Sequence, residues 1–236
     1  MIIMSGTIGA GKSNLTEILS NHLGTKPFYE PVEENPILPL YYADMNRYTF
    51  LLQIYFLNKR FRMIKEAMQD DNNVLDRSIY EDSLFFHMNA EKGRATKEEV
   101  MVYDDLLDNM MQELPYAAHK KAPDLLVHID IHIDTMLKRI KMRGRPYEQI
   151  ENDPSLLDYY NDLIAHYKPW YENYHYSPKI AINGDKYDFV NNMDDRKAVL
   201  DMIDNKLFEL GKLTPEEYER LMKKPEQQSL IDFPIR

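Results

Sequence analysis

The chain of 236 residues contains no cysteine and a single tryptophan. Without thiols it can form neither a disulfide nor a thiolate metal site, which fits a reducing compartment, and a cytoplasmic location is expected. No run approaches the ~20 apolar residues that span a bilayer, so no membrane segment is expected. The N-terminus shows no basic region ahead of an apolar core, so no secretory leader is expected either. Basic residues are the scarcer charge: 29 Lys and Arg stand against 39 Asp and Glu, for a formal net charge of −10. That balance argues against a general nucleic-acid partner, whose binding face is basic. An anionic ligand would have to be held by a local basic cluster. Glycine is sparse as well, with eight in all, and three of them fall between positions 6 and 11.

Those three belong to Gly6-Thr7-Ile8-Gly9-Ala10-Gly11-Lys12-Ser13, which reads G-x-x-x-x-G-K-S and follows closely on the apolar opening Met1-Ile2-Ile3-Met4. This is a P-loop. Glycines let the backbone curl so that N–H groups point at phosphate oxygens, Lys12 adds a point charge, and the Ser13 hydroxyl is placed to hold Mg²⁺. The motif has meaning only between a strand and a helix. Leu15, Ile18, Leu19 and Leu23 supply the helical stripe, which Gly24 closes.

Short apolar runs alternate with helical stretches, as expected for an α/β fold with a parallel sheet. Strands are expected at Met1–Met4, Lys26–Tyr29, Val74–Leu75, Leu125–Ile131 and Lys179–Ile182. A long helix is expected over Asp44–Gln69, where Phe50, Ile54, Leu57, Phe61, Ile64 and Met68 make one seam, and a second over Glu98–Leu114. Either seam serves as core or as subunit packing. Thr214-Pro215-Glu216-Glu217 opens a terminal helix with a capping box, and the tail beyond Lys223 is expected to be an extension.

Ligands of open α/β sheets bind beyond the carboxyl ends of the strands, so the residues there carry the functional argument. Strand two is followed by Glu30, a candidate proton acceptor. Strand three is followed by Asp76-Arg77, with Asp76 a candidate metal ligand and Arg77 a contact for the transferring group or its acceptor. After strand four come five basic residues within 138–145. Arg139 and Arg143 share a helix face there, and Arg145 lies past Gly144. Guanidinium forks match phosphate oxygens bidentately. His128-Ile129-Asp130-Ile131-His132-Ile133-Asp134 resembles a metal-binding run, but strand side chains in a row ~7 Å apart do not converge on one ion. It reads instead as a strand running into a helix capped by Asp134 or Thr135.

Together these motifs resemble the deoxyribonucleoside kinase family, in particular its bacterial deoxyadenosine/deoxyguanosine kinase branch. The resemblance covers roughly residues 1–210. It rests on Gly6–Ser13, Glu30-Pro31-Val32, the Gln53 to Arg60 helix, Asp76-Arg77-Ser78-Ile79-Tyr80-Glu81-Asp82, and Arg139 through Arg143-Gly144-Arg145-Pro146-Tyr147-Glu148. It implies a P-loop kinase fold: a doubly wound five-stranded parallel sheet flanked by helices, with an Arg-rich lid at about 138–150. Residues 1–211 would form the kinase domain and 212–236 a C-terminal helix and extension.

The implied activity is ATP- and Mg²⁺-dependent phosphorylation of a deoxyribonucleoside 5′-hydroxyl. Deoxyadenosine is expected first, then deoxyguanosine or deoxycytidine. Glu30 would be the base and Arg77 its partner, while Ser13 and Asp76 would hold Mg²⁺. Arg139, Arg143 and Arg145 would cover the ATP phosphates, and Asp185 would lie near the adenine of ATP. Tyr42 and Glu148 would hold the sugar 3′-hydroxyl, Gln53, Arg60 and Asp82 would read the base, and Phe86 would stack on it. A homodimer through the two long helices, and inhibition by the end-product triphosphate, are further implications. Asn35, where animal members carry Trp, Asp76, where they often carry Glu, and Phe56, bulkier than in some relatives, depart from parts of the family pattern.

Two other readings share the P-loop. A nucleoside monophosphate kinase would need spare cations for the acceptor phosphate, yet Glu30, Glu33, Glu34 and Asp82 crowd that side with negative charge. A P-loop regulatory module would hydrolyse ATP indifferently to nucleosides.

Overall fold

The computed structural model describes residues 1–30, 35–69, 72–117 and 123–224. Pro31 and Val32 of the resemblance, the expected acidic residues Glu33 and Glu34, and the tail 225–236 lie outside them. Five strands, β1 (Ile2–Gly6), β2 (Pro27–Phe28), β3 (Val74–Asp76), β4 (Leu125–Asp130) and β5 (Lys179–Asn183), pair in the order β2-β3-β1-β4-β5. Every pairing is parallel. In register, Ile2 faces Val74 on one side and Leu125 on the other, and Gly6 faces Ile129.

Both faces of the sheet are covered, which is why its strands read as unbroken apolar runs rather than alternating ones. Ile2, Met4, Val74, Leu125 and Val127 pack into one layer of core, and Met1, Ile3, Leu75 and Leu126 into the other. The first layer is closed by α1 (Lys12–Leu23), α6 (Ile133–Arg143), α7 (Leu156–Asn173) and α8 (Met193–Glu209). The second is closed by α3 (Met45–Ala67), α4 (Ile79–Glu91) and α5 (Lys97–Ala117). A short α2 (Leu38–Ala43) packs Leu38 and Tyr41 against Leu52 to build a small apolar wall beside the strand ends.

The expected seam of α3 divides by depth: Leu57 and Ile64 are buried, whereas Phe50, Ile54, Phe61 and Met68 stay partly open. The cap expected for α6 differs. The helix starts at Ile133, ahead of Asp134 and Thr135, and the backbone N–H of its N-cap residue His132 donates to the Asp185 carboxylate at 2.9 Å. The contact comes from just past the end of the neighbouring strand β5, distant in sequence, so a local S/T/D rule could not locate it. The terminal helix, α9 (Pro215–Met222), begins with the expected box: Thr214 Oγ1 accepts from the Glu217 N–H, and the Glu217 carboxylate from the Thr214 N–H. Beyond it, Lys224 Nζ donates to the His22 carbonyl at 2.9 Å, covering the open end of α1.

Candidate active site

The donor side is built at the tip of β1. Gly6 has φ +144°, and a Cβ there would sit 2.6 Å from the Ile129 carbonyl, so only glycine lets the loop leave the sheet. Lys12 opens α1 and folds back, its Nζ donating to the Thr7 carbonyl at 2.9 Å. Burial, with Arg77 close by, lowers its pKa to about 8. The Ser13 hydroxyl donates to Asp76 Oδ2, and Asp76 Oδ1 is buried with no hydrogen-bond partner. Burial also raises the Asp76 pKa. A buried carboxylate oxygen without a hydrogen-bond partner, next to a hydroxyl, fits Mg²⁺, which takes one or two protein oxygens and fills its octahedron from phosphates and water. The described residues hold no cluster of three His, Cys, Asp or Glu that would make an all-protein cage.

The acceptor side faces it across a cleft of about 290 Å³. Arg60, from the middle of α3 and 1 % exposed, is its hub. Its Nη2 donates to Glu30 Oε1 at 2.7 Å, its Nη1 to the Asp76 carbonyl at 2.7 Å, and its Nε to Asp82 Oδ2 at 3.2 Å. Arg77 Nε lies 3.0 Å from the same Glu30 oxygen. Burial alone would raise the Glu30 pKa, but Arg77, Arg60 and Lys12 outweigh it and hold the carboxylate at about 2. For Asp82 the balance reverses: burial outweighs Arg60 and lifts the carboxyl to about 6. Arg77 has φ +75°, the only positive φ outside glycine among the described residues. Such backbone strain persists where surrounding contacts over-determine it, and it collects at functional sites. Tyr42 and Gln53 complete the wall, the Tyr42 ring 5.3 Å from that of Tyr147.

The roof is the turn after α6. Arg143 Nη2 donates to Glu148 Oε2 at 2.6 Å, and Arg145 Nη1 lies 3.5 Å from Glu148 Oε1. Glu148, in the 3₁₀ turn Pro146–Glu148, is itself 3 % exposed. P-loop, carboxylate and roof therefore converge on one cleft.

A family model described as deoxynucleoside kinase matches residues 2–209. The chain belongs to the deoxynucleoside kinase family. It is 64 % identical to a deoxyguanosine kinase of Lactobacillus acidophilus over 90 % of this chain and 93 % of that one. It is also 60 % identical to a deoxyadenosine kinase of the same organism, over 90 % of this chain and 99 % of that one. Among solved structures, a deoxyadenosine kinase from M. mycoides with bound dATP superimposes with TM-score 0.71 at 29 % identity, covering 88 % of this chain and 98 % of that one.

Within this deoxynucleoside kinase most residues singled out from sequence line the cleft; Arg60 is buried behind its wall, bonded to Glu30 and Asp82, and Phe86, Arg139 and Asp185 lie elsewhere. Phe86, expected to stack on the base, is fully buried in the second core layer, 4.6 Å from the Tyr103 ring. Its neighbour Phe85, about 100° further round the helix, lines the cleft and lies 4.7 Å under the Arg77 guanidinium. Arg139 is turned away from the cleft. Its Nη1 donates to the Ala10 carbonyl at 2.9 Å and its Nη2 to the Gly184 carbonyl at 2.9 Å, so it braces the back of the P-loop. Asp185, expected beside adenine, is occupied as the cap of α6.

The negative acceptor side also needs correcting. Glu30 and Asp82 are each paired with arginine, so those two charges are balanced in space, while Glu33 and Glu34 lie outside the described residues. His128 is buried, bonded to Ser5 Oγ at 3.0 Å and stacked on Tyr171, while Asp130 and His132 are exposed, so that run does not converge.

Besides Phe85, the polar residues Glu81 and Tyr167, which bond to Gly6 and Arg77, were not singled out from sequence. Glu81 has a signal, since Ser78-x-x-Glu81 after a strand end is a capping box. Tyr167 has none, being one of 17 tyrosines, and its place is decided by how α7 crosses the sheet.

Proposed function

We propose that this kinase transfers the γ-phosphoryl group of ATP to the 5′-hydroxyl of a deoxyribonucleoside, deoxyadenosine first, with deoxyguanosine and deoxycytidine also accepted. The observation that carries this is Glu30, an ionised carboxylate fixed by two arginines in the same cleft as Lys12 and Ser13. The 5′-oxygen attacks the γ-phosphorus, the bond to the β-phosphate oxygen of the departing ADP breaks, and the hydroxyl proton passes to Glu30. A carboxylate at about pKa 2 is a weak base. In a loose phosphoryl-transfer transition state, however, the proton leaves late, and orientation counts for more than basicity. Arg77, Arg143 and Arg145 are placed to meet charge on the phosphoryl oxygens. Ser13 and Asp76 are the residues that would hold Mg²⁺, which neutralises charge on the β- and γ-phosphates when bound.

Relatives named for guanine and for adenine stand at 64 % and 60 % identity, so preference among bases is argued from the pocket. Ionised Asp82 accepts from an exocyclic amine, as on adenine or cytosine, while Arg60 and Gln53 donate to ring nitrogens or a carbonyl. Tyr42 and Glu148 are suited to the 3′-hydroxyl. Arg77, Arg143 and Arg145, the arginines that line the cleft among the described residues, each face a carboxylate and are already given to the donor phosphates, which leaves no further arginine for the phosphate of a nucleoside monophosphate and disfavours that class of acceptor.

Supporting a homodimer, α5 carries Met101 and Val102 at 65 % and 49 % exposure and α3 carries Leu51 at 49 %. The lack of cysteine supports cytoplasmic work. The deciding assay is ADP release with each deoxynucleoside in turn. Turnover with deoxyadenosine is expected; ATP hydrolysis indifferent to all of them would instead mark a regulatory module.

A further inference from the structure

Of the buried carboxylates outside the mechanism just described, one touches the P-loop. Glu81, in the first turn of α4, has no measurable exposure. Its Oε2 accepts from the Ser78 N–H at 2.9 Å, as the capping box requires. Its Oε1 does something the cap does not need. It accepts from the Gly6 N–H at 3.1 Å and from the Tyr167 hydroxyl at 2.9 Å. Tyr167 in turn accepts from Arg77 Nη1 at 2.9 Å. A single oxygen thus joins the first glycine of the P-loop to the strained arginine of the acceptor side through one phenol. The other contacts of the Arg77 guanidinium are Glu30, which must be free to take a proton, the Glu81 carboxylate itself at 3.8 Å from Nη1, beyond hydrogen-bond reach, and the face of Phe85, which fixes a plane but not a direction within it. Tyr167 supplies that direction.

We propose that Glu81 and Tyr167 are positioning residues that hold Arg77 in line with the P-loop, so that donor phosphate and acceptor hydroxyl share one rigid frame. The proposal rests on the kinase reading above. Each residue acts through another: Tyr167 through Arg77 alone, Glu81 through both Arg77 and Gly6. A structural role in the core would not produce that asymmetry.

Tyr167→Phe removes one oxygen and keeps the ring that stacks near His128 and Phe85. Glu81→Gln replaces one acceptor oxygen by an NH₂, which must face either the Ser78 N–H or the Gly6 and Tyr167 donors. Steady-state kinetics are measured on both variants, with folding checked by circular dichroism. Tyr167→Phe is expected to lower kcat about tenfold with the KM for ATP within about twofold, the mark of an interaction made in the transition state. Glu81→Gln is expected to lower kcat at least as much and to raise the KM for ATP roughly fivefold, because it also disturbs the loop. Should Tyr167→Phe not fold, Glu81→Gln carries the test through its combined change. A kcat within about twofold of wild type in either folded variant overturns the proposal. So does a loss confined to melting temperature, or an ATP KM raised by Tyr167→Phe in step with Glu81→Gln. Absence of deoxynucleoside turnover in the wild-type arm would overturn the kinase reading as well, whereas normal wild-type turnover with unaffected variants removes only the positioning role.

Discussion

Arg60 Nη2 meets Glu30 Oε1 at 2.7 Å and its Nε meets Asp82 Oδ2 at 3.2 Å, so two carboxylates of the cleft share one buried cation. In the proposed function, base recognition and chemistry would be joined through that guanidinium. Arg60→Lys keeps the charge but cannot span Glu30, Asp76 and Asp82 together. It should lower kcat about tenfold or more as well as raising the KM for the nucleoside, whereas a residue that only binds the base would change KM alone. Glu30→Gln should lower kcat by about 10²–10⁴ with ATP binding nearly intact. Steady-state kinetics and an ATP titration on the two variants check both expectations.

Asp82 makes base preference depend on pH. Its carboxyl, raised to about 6 by burial despite Arg60, is mainly ionised at pH 7.5 and mainly protonated at pH 5. In the proposed role the ionised form would accept from the adenine amine, and the protonated form would donate an O–H, which suits the guanine carbonyl. The ratio of kcat/KM for deoxyadenosine to that for deoxyguanosine should therefore fall roughly tenfold between those pH values. A ratio flat with pH would remove Asp82 from base reading.

Lys12 sets an alkaline limit on nucleotide binding. Burial and Arg77 lower its pKa to about 8, so the free enzyme loses this charge as pH rises through that value. Affinity for ATP, measured by calorimetry without acceptor, should weaken by about tenfold from pH 7 to pH 9. Below pH 7 it should be level.

Asp76 offers a metal test. Its Oδ1 is the buried oxygen without a hydrogen-bond partner beside Ser13. Asp76→Asn should raise the Mg²⁺ concentration for half-maximal turnover by about tenfold or more, in line with loss of a charged ligand to a hard cation. Chelation by EDTA should stop turnover by the wild type. An unchanged Mg²⁺ requirement in the variant would move the metal to other ligands.

Where local chemistry decided the outcome, the sequence was legible. The Gly6–Ser13 loop, the capping box at Thr214 and all five strands follow from residue type and period within a short window. Helix α3 runs Met45–Ala67 within the expected Asp44–Gln69 span. Where two side chains compete for one face, the reading failed. Phe85 and Phe86 are adjacent and chemically alike, and only the angle at which α4 meets the sheet sends one to the cleft and the other to the core. The resemblance places Arg139 and Asp185 at the nucleotide; the packed structure gives both to backbone groups.

From the sequence alone came the P-loop, the parallel α/β fold and the order of charged residues at the strand ends, because each is encoded by spacing along a few consecutive residues. The tertiary structure decided how those charges cancel. Glu30, Asp82 and Glu148 are negative in any count, yet each lies against an arginine brought from another helix or turn. Coulomb energy depends on distance in space and on the burial that removes water, and neither quantity exists until α3, α4 and the turn after α6 have packed around the strand ends.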